Sequence, residues 1–220
     1  MNGPRRGAAW LFEAAGALIG VLALILQMYL LLRLTAVKGG TPTAAVIEFF
    51  SYFTILSNLL AVLAYLGSLL NRQTGPAAFF ARPRVKTAIA LYIAVVGLVY
   101  VLVLRQIWDP QGLAKLADVA LHYVTPVLFL LYWLFFVDKS SLDYAAIPAW
   151  LIFPVVYAVY VVARGLITGV YAYPFLEIDK IGIKRVALNI VVLMAAFGGI
   201  GAILVVVGRA LARRARGAAA

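Results

Sequence analysis

The chain has 220 residues, of which 65% are hydrophobic and 12% are charged, and its formal net charge is +11. Soluble domains are about 45–50% apolar and about 25% charged, so this composition excludes an ordinary soluble domain. It also excludes a disordered chain, which needs low hydrophobicity. Because the sequence contains no cysteine, disulfides, a catalytic thiol and thiolate-bound metal or iron–sulfur centres are excluded as well.

Six long apolar segments follow one another along the chain, with short polar joints between them. A helix needs about 20 mainly apolar residues to cross a bilayer. The pattern therefore predicts an all-α protein, a six-transmembrane-helix bundle, with residues 1–220 as a single integral membrane domain and no separate soluble domain. The predicted spans are residues 9–32, 44–70, 85–107, 113–137, 145–167 and 185–207, with the second ending at Asn71 and Arg72.

The first segment is predicted to be a retained helix, because its apolar core is longer than the ~7–15 residues of a signal peptide. Gly16 and Gly20 form a GxxxG pattern on this segment, and Gly198, Gly199 and Gly201 cluster on the sixth. Two interpretations stay open. Small residues at this spacing allow helices to pack closely, or the glycines are there by chance.

Lysine and arginine residues predict the orientation. Counted together with the span ends beside them, the N-terminus, the joints after spans two and four and the basic tail hold 11 of them, against 8 in the other three joints. Because positively charged loops stay in the cytoplasm, both termini are predicted to be cytoplasmic. The basic ends are expected to contact anionic lipid. Nucleic acid is not predicted as a partner, because the basic residues are scattered over all the joints.

Span two carries polar side chains through several turns. On a continuous helix Glu48, Ser51, Thr54 and Asn58 fall within roughly a 120° arc. Polar groups are costly in hydrocarbon and usually face the bundle interior or a functional site. This face is therefore predicted to line the interior.

Span four carries a second polar face, because Asp118, His122 and Thr125 fall within about a 60° arc. At 1.5 Å per residue, Thr54 and His122 lie roughly 15 and 14 Å from the same membrane face. The two faces are therefore predicted to meet. Pro126 cannot donate to the carbonyl of His122, so a kink or a free carbonyl is expected there.

The only imidazole of the chain has two interpretations. His122 either hydrogen-bonds to a neighbouring helix, or it acts as a general base that activates a hydroxyl. Asp118 could orient the ring, as the acid of a catalytic triad does, but we expect it to pair with Lys115 instead. Thr54 is the candidate nucleophile and Ser51 its rival. All these hydroxyls could equally bond to the preceding helical turn.

A metal site is the weaker alternative. Glu48, Asp118 and His122 could supply three zinc ligands, but there is one histidine and no HExxH spacing. We therefore predict no metal and no organic cofactor. The Tyr173-Pro174-Phe175 motif lies in the joint before span six and is predicted to be a turn rather than a lid.

Two stretches carry a resemblance to a known family: Phe50–Asn58 (FSYFTILSN) and Leu121–Pro126 (LHYVTP). They resemble a bacterial family of six-span membrane proteins, and Pro154–Tyr157 and Tyr173–Phe175 fit it too. That family is distantly similar to the androgen-induced and androgen-dependent integral membrane proteins of animals. The resemblance runs from span two to span six and implies a location in a bacterial inner membrane.

The animal proteins are intramembrane threonine hydrolases that cleave fatty acid esters of hydroxy fatty acids. Their threonine and histidine match Thr54 and His122, although the Ser-Asn that follows departs from the animal pattern. The resemblance implies a lipid ester hydrolase whose partner is a membrane lipid or long-chain ester. Asn58, Ser51 or a backbone amide near Pro126 could stabilise the oxyanion. The alternative is a non-enzymatic lipid-binding, transport or assembly protein in which the pair is structural.

Overall fold

The computed structural model describes residues 3–70 and 74–217, without the side chains of residues 3–6. It is 86% helical, and its described residues contain no strand. The prediction of an all-α six-helix membrane bundle is confirmed, because six helical segments are long and apolar enough to cross a membrane. These segments are Gly7–Val37, Phe53–Leu70, Pro83–Gln106, Leu113–Phe136, Tyr144–Thr168 and Ile183–Gly217.

The helices are α1 (Gly3–Val37), α2 (Pro42–Phe49), α3 (Phe53–Leu70), α4 (Gly75–Ala81), α5 (Pro83–Leu102), α6 (Leu113–Val119), α7 (Thr125–Phe136), α8 (Ile147–Thr168), α9 (Ile178–Ile181) and α10 (Ile183–Gly217). A π-helical turn over Ala120–Val124 joins α6 to α7. Prolines begin α2 and α5, where a helix needs no amide donor. The hydroxyl of Thr41 caps α2 by accepting from the amide of Ala44 at 3.2 Å.

Helices α3 and α5 form the centre of the bundle, with α1 and α7 packed around them and α10 against α5. Helix α8 lies at the edge and packs mainly on α10. The outward faces of the helices are apolar. Exposed examples are Leu18, Leu22, Ile25, Val156 and Val159. Large apolar side chains on the outside of a helical bundle are suited to lipid, so the protein is embedded in a membrane.

The predicted continuous helix over residues 44–70 is wrong. The chain turns between Phe49 and Phe53, and the Tyr157 hydroxyl donates to the carbonyl of Ser51 at 2.8 Å. In a continuous helix that carbonyl would accept from the amide of Ile55. The shared polar arc and the depth calculated from helical rise therefore do not hold. The predicted end of this span, Asn71 and Arg72, lies outside the described residues.

Both terminal spans are longer than predicted. Helix α1 continues to Val37, and α10 runs from Ile183 to Gly217 instead of ending at residue 207. The residues predicted as a basic tail form the last turns of α10. Alanine and arginine favour helix, and Arg214 and Arg216 stand in the last turn, where positive charge is favourable.

Gly16 and Gly20 lie where α1 meets α3, as the first interpretation of the GxxxG pattern predicts. A Cβ added at Gly16 would stand 2.5 Å from Cζ of Tyr65, and one at Gly20 would stand 2.6 Å from Cγ2 of Val62. Both α3 side chains are buried, so they have little room to move. Gly198 and Gly199 differ, because no atom lies within 4 Å of an added Cβ at either position.

Replacing Gly16 with alanine should therefore destabilise the protein by about 1–3 kcal/mol, the usual cost of overpacking. The measurement is thermal unfolding in detergent, beside Gly199→Ala as a matched control on α10. The control should unfold at the wild-type temperature or slightly above, since alanine favours helix. Equal unfolding temperatures for Gly16→Ala and wild type would contradict close packing of α1 on α3.

Candidate active site

The π-helical turn shapes the segment that carries His122. Hydrogen bonds in a π turn reach five residues back, and the amide of Thr125 donates to the carbonyl of Ala120. At the same pitch, the amide proton that Pro126 lacks would have gone to the carbonyl of Leu121. The side-chain amide of Asn58 donates to the Leu121 carbonyl at 3.2 Å instead. The hydroxyl of Thr125 donates to the carbonyl of Ala120 at 2.9 Å. Thr125 therefore supports the turn, and its hydroxyl proton is used in this bond and not on the imidazole.

Thr54 and His122 lie together in the bundle. Oγ1 of Thr54 is 3.4 Å from Nε2 of His122, at the long end of a hydrogen bond. Catalytic contacts of this kind are often long in the absence of substrate. Thr54 is 7% exposed and the His122 side chain 15%, so both are largely shielded from solvent.

Asp118 holds the imidazole, so the expectation that it pairs with Lys115 is wrong. Nδ1 of His122 is 3.0 Å from the carbonyl oxygen of Asp118 and 3.1 Å from its Oδ1. Both atoms are acceptors, which places a proton on Nδ1 and leaves the Nε2 lone pair facing Thr54. One turn of α6 and the π turn bring the carboxylate and the ring to the same side.

Tyr100, which sequence analysis did not single out, completes this contact. Its hydroxyl donates to Oδ2 of Asp118. Its ring stacks on the imidazole of His122, with ring centroids 4.1 Å apart and planes 17° apart. The ring of His122 is therefore fixed on one edge by Asp118 and on one face by Tyr100.

Two tyrosine hydroxyls lie at the first turn of α3. The hydroxyl oxygen of Tyr157 accepts from the amide of Phe53 at 3.2 Å, and that of Tyr173 accepts from the amide of Thr54 at 3.2 Å. The Tyr173 hydroxyl is also 3.3 Å from Oγ1 of Thr54. The first amides of a helix have no acceptor within the helix, and these two tyrosine oxygens act as their acceptors.

Tyr173 belongs to the Tyr173-Pro174-Phe175 motif, which forms a turn as predicted. Residues Pro174–Leu176 make one 3₁₀ turn, closed by a bond from the amide of Leu176 to the carbonyl of Tyr173 at 3.0 Å. The turn folds inward and buries Tyr173 beside Thr54. The only sequence signal for this residue was an aromatic side chain in a joint on the Thr54 side.

The remaining predicted site residues lie apart from the Thr54–His122 pair. Glu48 accepts from the hydroxyl of Tyr52 at 3.3 Å. Ser51, the rival nucleophile, donates to the carbonyl of Ile47 at 2.6 Å and contacts the hydroxyl of Tyr160 at 3.0 Å. Neither reaches His122, so the three-ligand zinc arrangement is not formed. Over residues 3–70 and 74–217, no three aspartate, glutamate, histidine or cysteine side chains cluster for a metal ion.

An apolar cavity of about 60 Å³ opens beside Thr54, between α5, α8, α10 and the Tyr173 turn. Its lining includes Val95, Val99, Pro154, Leu193, Met194 and Phe197. Ligand pockets usually measure about 300–1,000 Å³. The cavity therefore holds only part of a long acyl chain, unless the lining side chains move apart or the acyl chain extends into the bilayer.

Together the fold and the site define a polytopic membrane protein with a buried hydroxyl–imidazole–carboxylate arrangement. The chain matches no protein-family model, and neither its sequence nor its structure is significantly similar to a curated protein or a solved structure.

Proposed function

We propose that the protein is an intramembrane lipid ester hydrolase with Thr54 as nucleophile and His122 as general base. The observation that carries the proposal is the connected chain Thr54 Oγ1, His122 Nε2, His122 Nδ1 and Asp118. It has the three parts of a nucleophile–base–acid triad: a hydroxyl, an imidazole with a free lone pair and a carboxylate that orients it.

In the first half of the reaction, Oγ1 of Thr54 adds to the ester carbonyl carbon and its proton passes to Nε2 of His122. The carbonyl π electrons move to the carbonyl oxygen, which becomes an oxyanion. When this tetrahedral species collapses, the bond to the alcohol oxygen breaks and the imidazolium returns its proton to that oxygen. The products are the free alcohol and an ester between the acyl group and Thr54.

In the second half, His122 takes a proton from a water molecule that attacks the acyl-Thr54 carbonyl. Collapse breaks the bond to Oγ1, which recovers the proton, and the carboxylic acid leaves. Asp118 stabilises the imidazolium in both halves and keeps the ring in place. Tyr100 holds the carboxylate and the ring by its hydroxyl and its stacked face.

A lipid is the substrate class that suits the surroundings. The cavity beside Thr54 is apolar, and α8 and α10, which form one side of it, present apolar faces to the outside. An acyl chain can enter between these helices from the bilayer. The Thr54 and His122 segments resemble a bacterial family that is distantly similar to the animal threonine hydrolases, and this favours fatty acid esters of hydroxy fatty acids.

The experiment is a hydrolysis assay on the purified protein in detergent, with a hydroxy-fatty-acid ester and a simple long-chain ester. The reaction is stopped with acid and the protein is digested for mass spectrometry. We expect turnover of at least one ester and an acyl group on the peptide that contains Thr54. If neither ester is cleaved and no acyl group is found, the proposal fails, and lipid binding, transport or assembly becomes the working function.

We also propose that both termini are cytoplasmic, from the 11 basic residues on that side against 8 on the other. The resemblance to the bacterial six-span family favours a bacterial inner membrane. Because the chain has no cysteine, single introduced cysteines report the side of each joint. A membrane-impermeant maleimide should label Asp109→Cys in intact cells, and Ser140→Cys only after lysis. Both positions are exposed. The reverse pattern would invert the proposed orientation.

A further inference from the structure

The ring of Tyr173 is held firmly although it comes from a joint between two spans. It stacks on Phe175, with ring centroids 5.1 Å apart and planes 10° apart, and it meets the ring of Tyr52 edge-on at 5.9 Å. The side chain is buried. Its hydroxyl therefore has a fixed place, 3.3 Å from Oγ1 of Thr54. A fixed donor beside a nucleophile is the geometry that stabilises developing charge.

The Tyr173 hydroxyl is placed to donate to Oγ1 of Thr54. The hydroxyl oxygen already accepts from the amide of Thr54, so the O–H bond points elsewhere. The hydroxyl proton of Tyr157 goes to the carbonyl of Ser51 at 2.8 Å. When the Thr54 hydroxyl donates to His122, its Oγ1 is the acceptor that lies 3.3 Å from the Tyr173 hydroxyl.

The donors expected from the sequence have other partners. The two amide protons of Asn58 go to the carbonyls of Thr54 at 2.8 Å and Leu121 at 3.2 Å. The hydroxyl of Ser51 donates to the carbonyl of Ile47. Neither side chain has a proton free for an oxyanion. The Tyr173 hydroxyl is therefore a better-placed side-chain donor than either of them.

We propose that the Tyr173 hydroxyl donates the hydrogen bond that stabilises the oxyanion formed when Thr54 adds to the ester carbonyl. The inference rests on the proposed hydrolase function. The oxyanion is bonded to the carbon that Oγ1 attacks, so a donor 3.3 Å from Oγ1 is within its reach. Tyr173 keeps its proton throughout, while the proton of Thr54 passes to His122.

Two features make this phenol a suitable donor. The amide of Thr54, in the first turn of α3, donates to its oxygen, and hydrogen bonds in such a chain strengthen one another. Burial raises the pKa of Tyr173, so the hydroxyl keeps its proton at neutral and mildly alkaline pH. The proton is thus present whenever the imidazole can act as a base.

The test is Tyr173→Phe, which removes the hydroxyl and keeps the ring. We expect kcat to fall about 10²–10³-fold with little change in KM, the usual effect of losing one oxyanion donor. The matched control is Tyr171→Phe, in the same joint, whose ring packs against Gly165. The control should keep wild-type kcat.

A second readout separates charge stabilisation from a loosened joint. A long-chain trifluoromethyl ketone forms a tetrahedral adduct with a nucleophilic hydroxyl and places an oxyanion at the site. Its inhibition constant should rise in Tyr173→Phe by about the factor by which kcat/KM falls. The inhibition constant of the matching secondary alcohol, which forms no adduct, should stay the same.

The outcomes are distinguishable. If wild type turns over and Tyr173→Phe does so at nearly the same rate, the role of Tyr173 is overturned and the Thr54–His122 mechanism stands. If the ketone and the alcohol both lose affinity equally, Tyr173 only shapes the pocket and the inference is again overturned. If wild type cleaves neither ester and forms no ketone adduct, the proposed function itself has failed.

Discussion

Thr54→Val should lower kcat by about 10⁴-fold or more while the protein stays folded. Valine matches the shape of threonine but has no nucleophilic oxygen, and removal of a nucleophile leaves only the catalysis that binding and oxyanion stabilisation supply. The folded state should lose little. The lost Oγ1 makes two long contacts, at 3.4 Å and 3.3 Å, and the backbone bonds of Thr54 to Tyr173 and Asn58 remain.

The measurement is single-turnover and steady-state hydrolysis, beside thermal unfolding in detergent. Thr54→Ser keeps a hydroxyl and should retain substantial activity, although the serine hydroxyl rotates more freely without the methyl group of threonine. Ser57→Ala is the control, because its hydroxyl is buried on the same helix with no hydrogen-bond partner in the part of the chain that is described. A fully active Thr54→Val would remove Thr54 from the chemistry.

His122→Phe should be the second severe change, with kcat reduced by about 10²–10⁴-fold, the usual contribution of a general base. Phenylalanine retains a planar ring to stack on Tyr100, so the loss tests the ring nitrogens rather than the packing. The carboxylate of Asp118 also keeps its bond from Tyr100, which limits the cost of losing its contact with Nδ1. Both acylation and deacylation should slow, because each needs the same base.

The diagnostic measurement is the pre-steady-state release of alcohol from a chromogenic long-chain ester. Wild type should show a burst if deacylation is slower than acylation, and His122→Phe should show none. His122→Gln provides a control that keeps a polar side chain but has no basic nitrogen. If either variant hydrolyses the ester at the wild-type rate and differs only in unfolding temperature, His122 is a structural hydrogen-bonding residue.

Hydropathy and residue type were sufficient to predict the helical bundle and the proximity of Thr54 and His122. Six apolar segments of spanning length predict six helices whatever their neighbours are. The proximity of the pair survived although the depth argument behind it failed. Two polar stretches in a lipid-embedded bundle both face the bundle interior, because polar side chains are costly in lipid, and so they lie close to each other.

Other parts of the site depend on contacts that no local pattern encodes. The break before α3 is stabilised by a hydroxyl on α8, more than a hundred residues away. Asp118 pairs with His122 and not with Lys115, because the π turn and Tyr100 fix the direction of its carboxylate. Tyr173 was assigned to the correct turn, but its burial beside Thr54 follows from the packing of that turn against α3.

The same long-range bonds set the order in which the candidate site can be assembled during biosynthesis. The ribosome makes Thr54 and His122 well before Tyr157 and Tyr173, whose hydroxyls bind the first amides of α3. Until the fifth span has been inserted and the following joint has been made, the nascent chain has Thr54 and His122 without the hydroxyls that bind the first amides of α3. The candidate site is therefore completed only near the end of translation, when most of the bundle has been inserted.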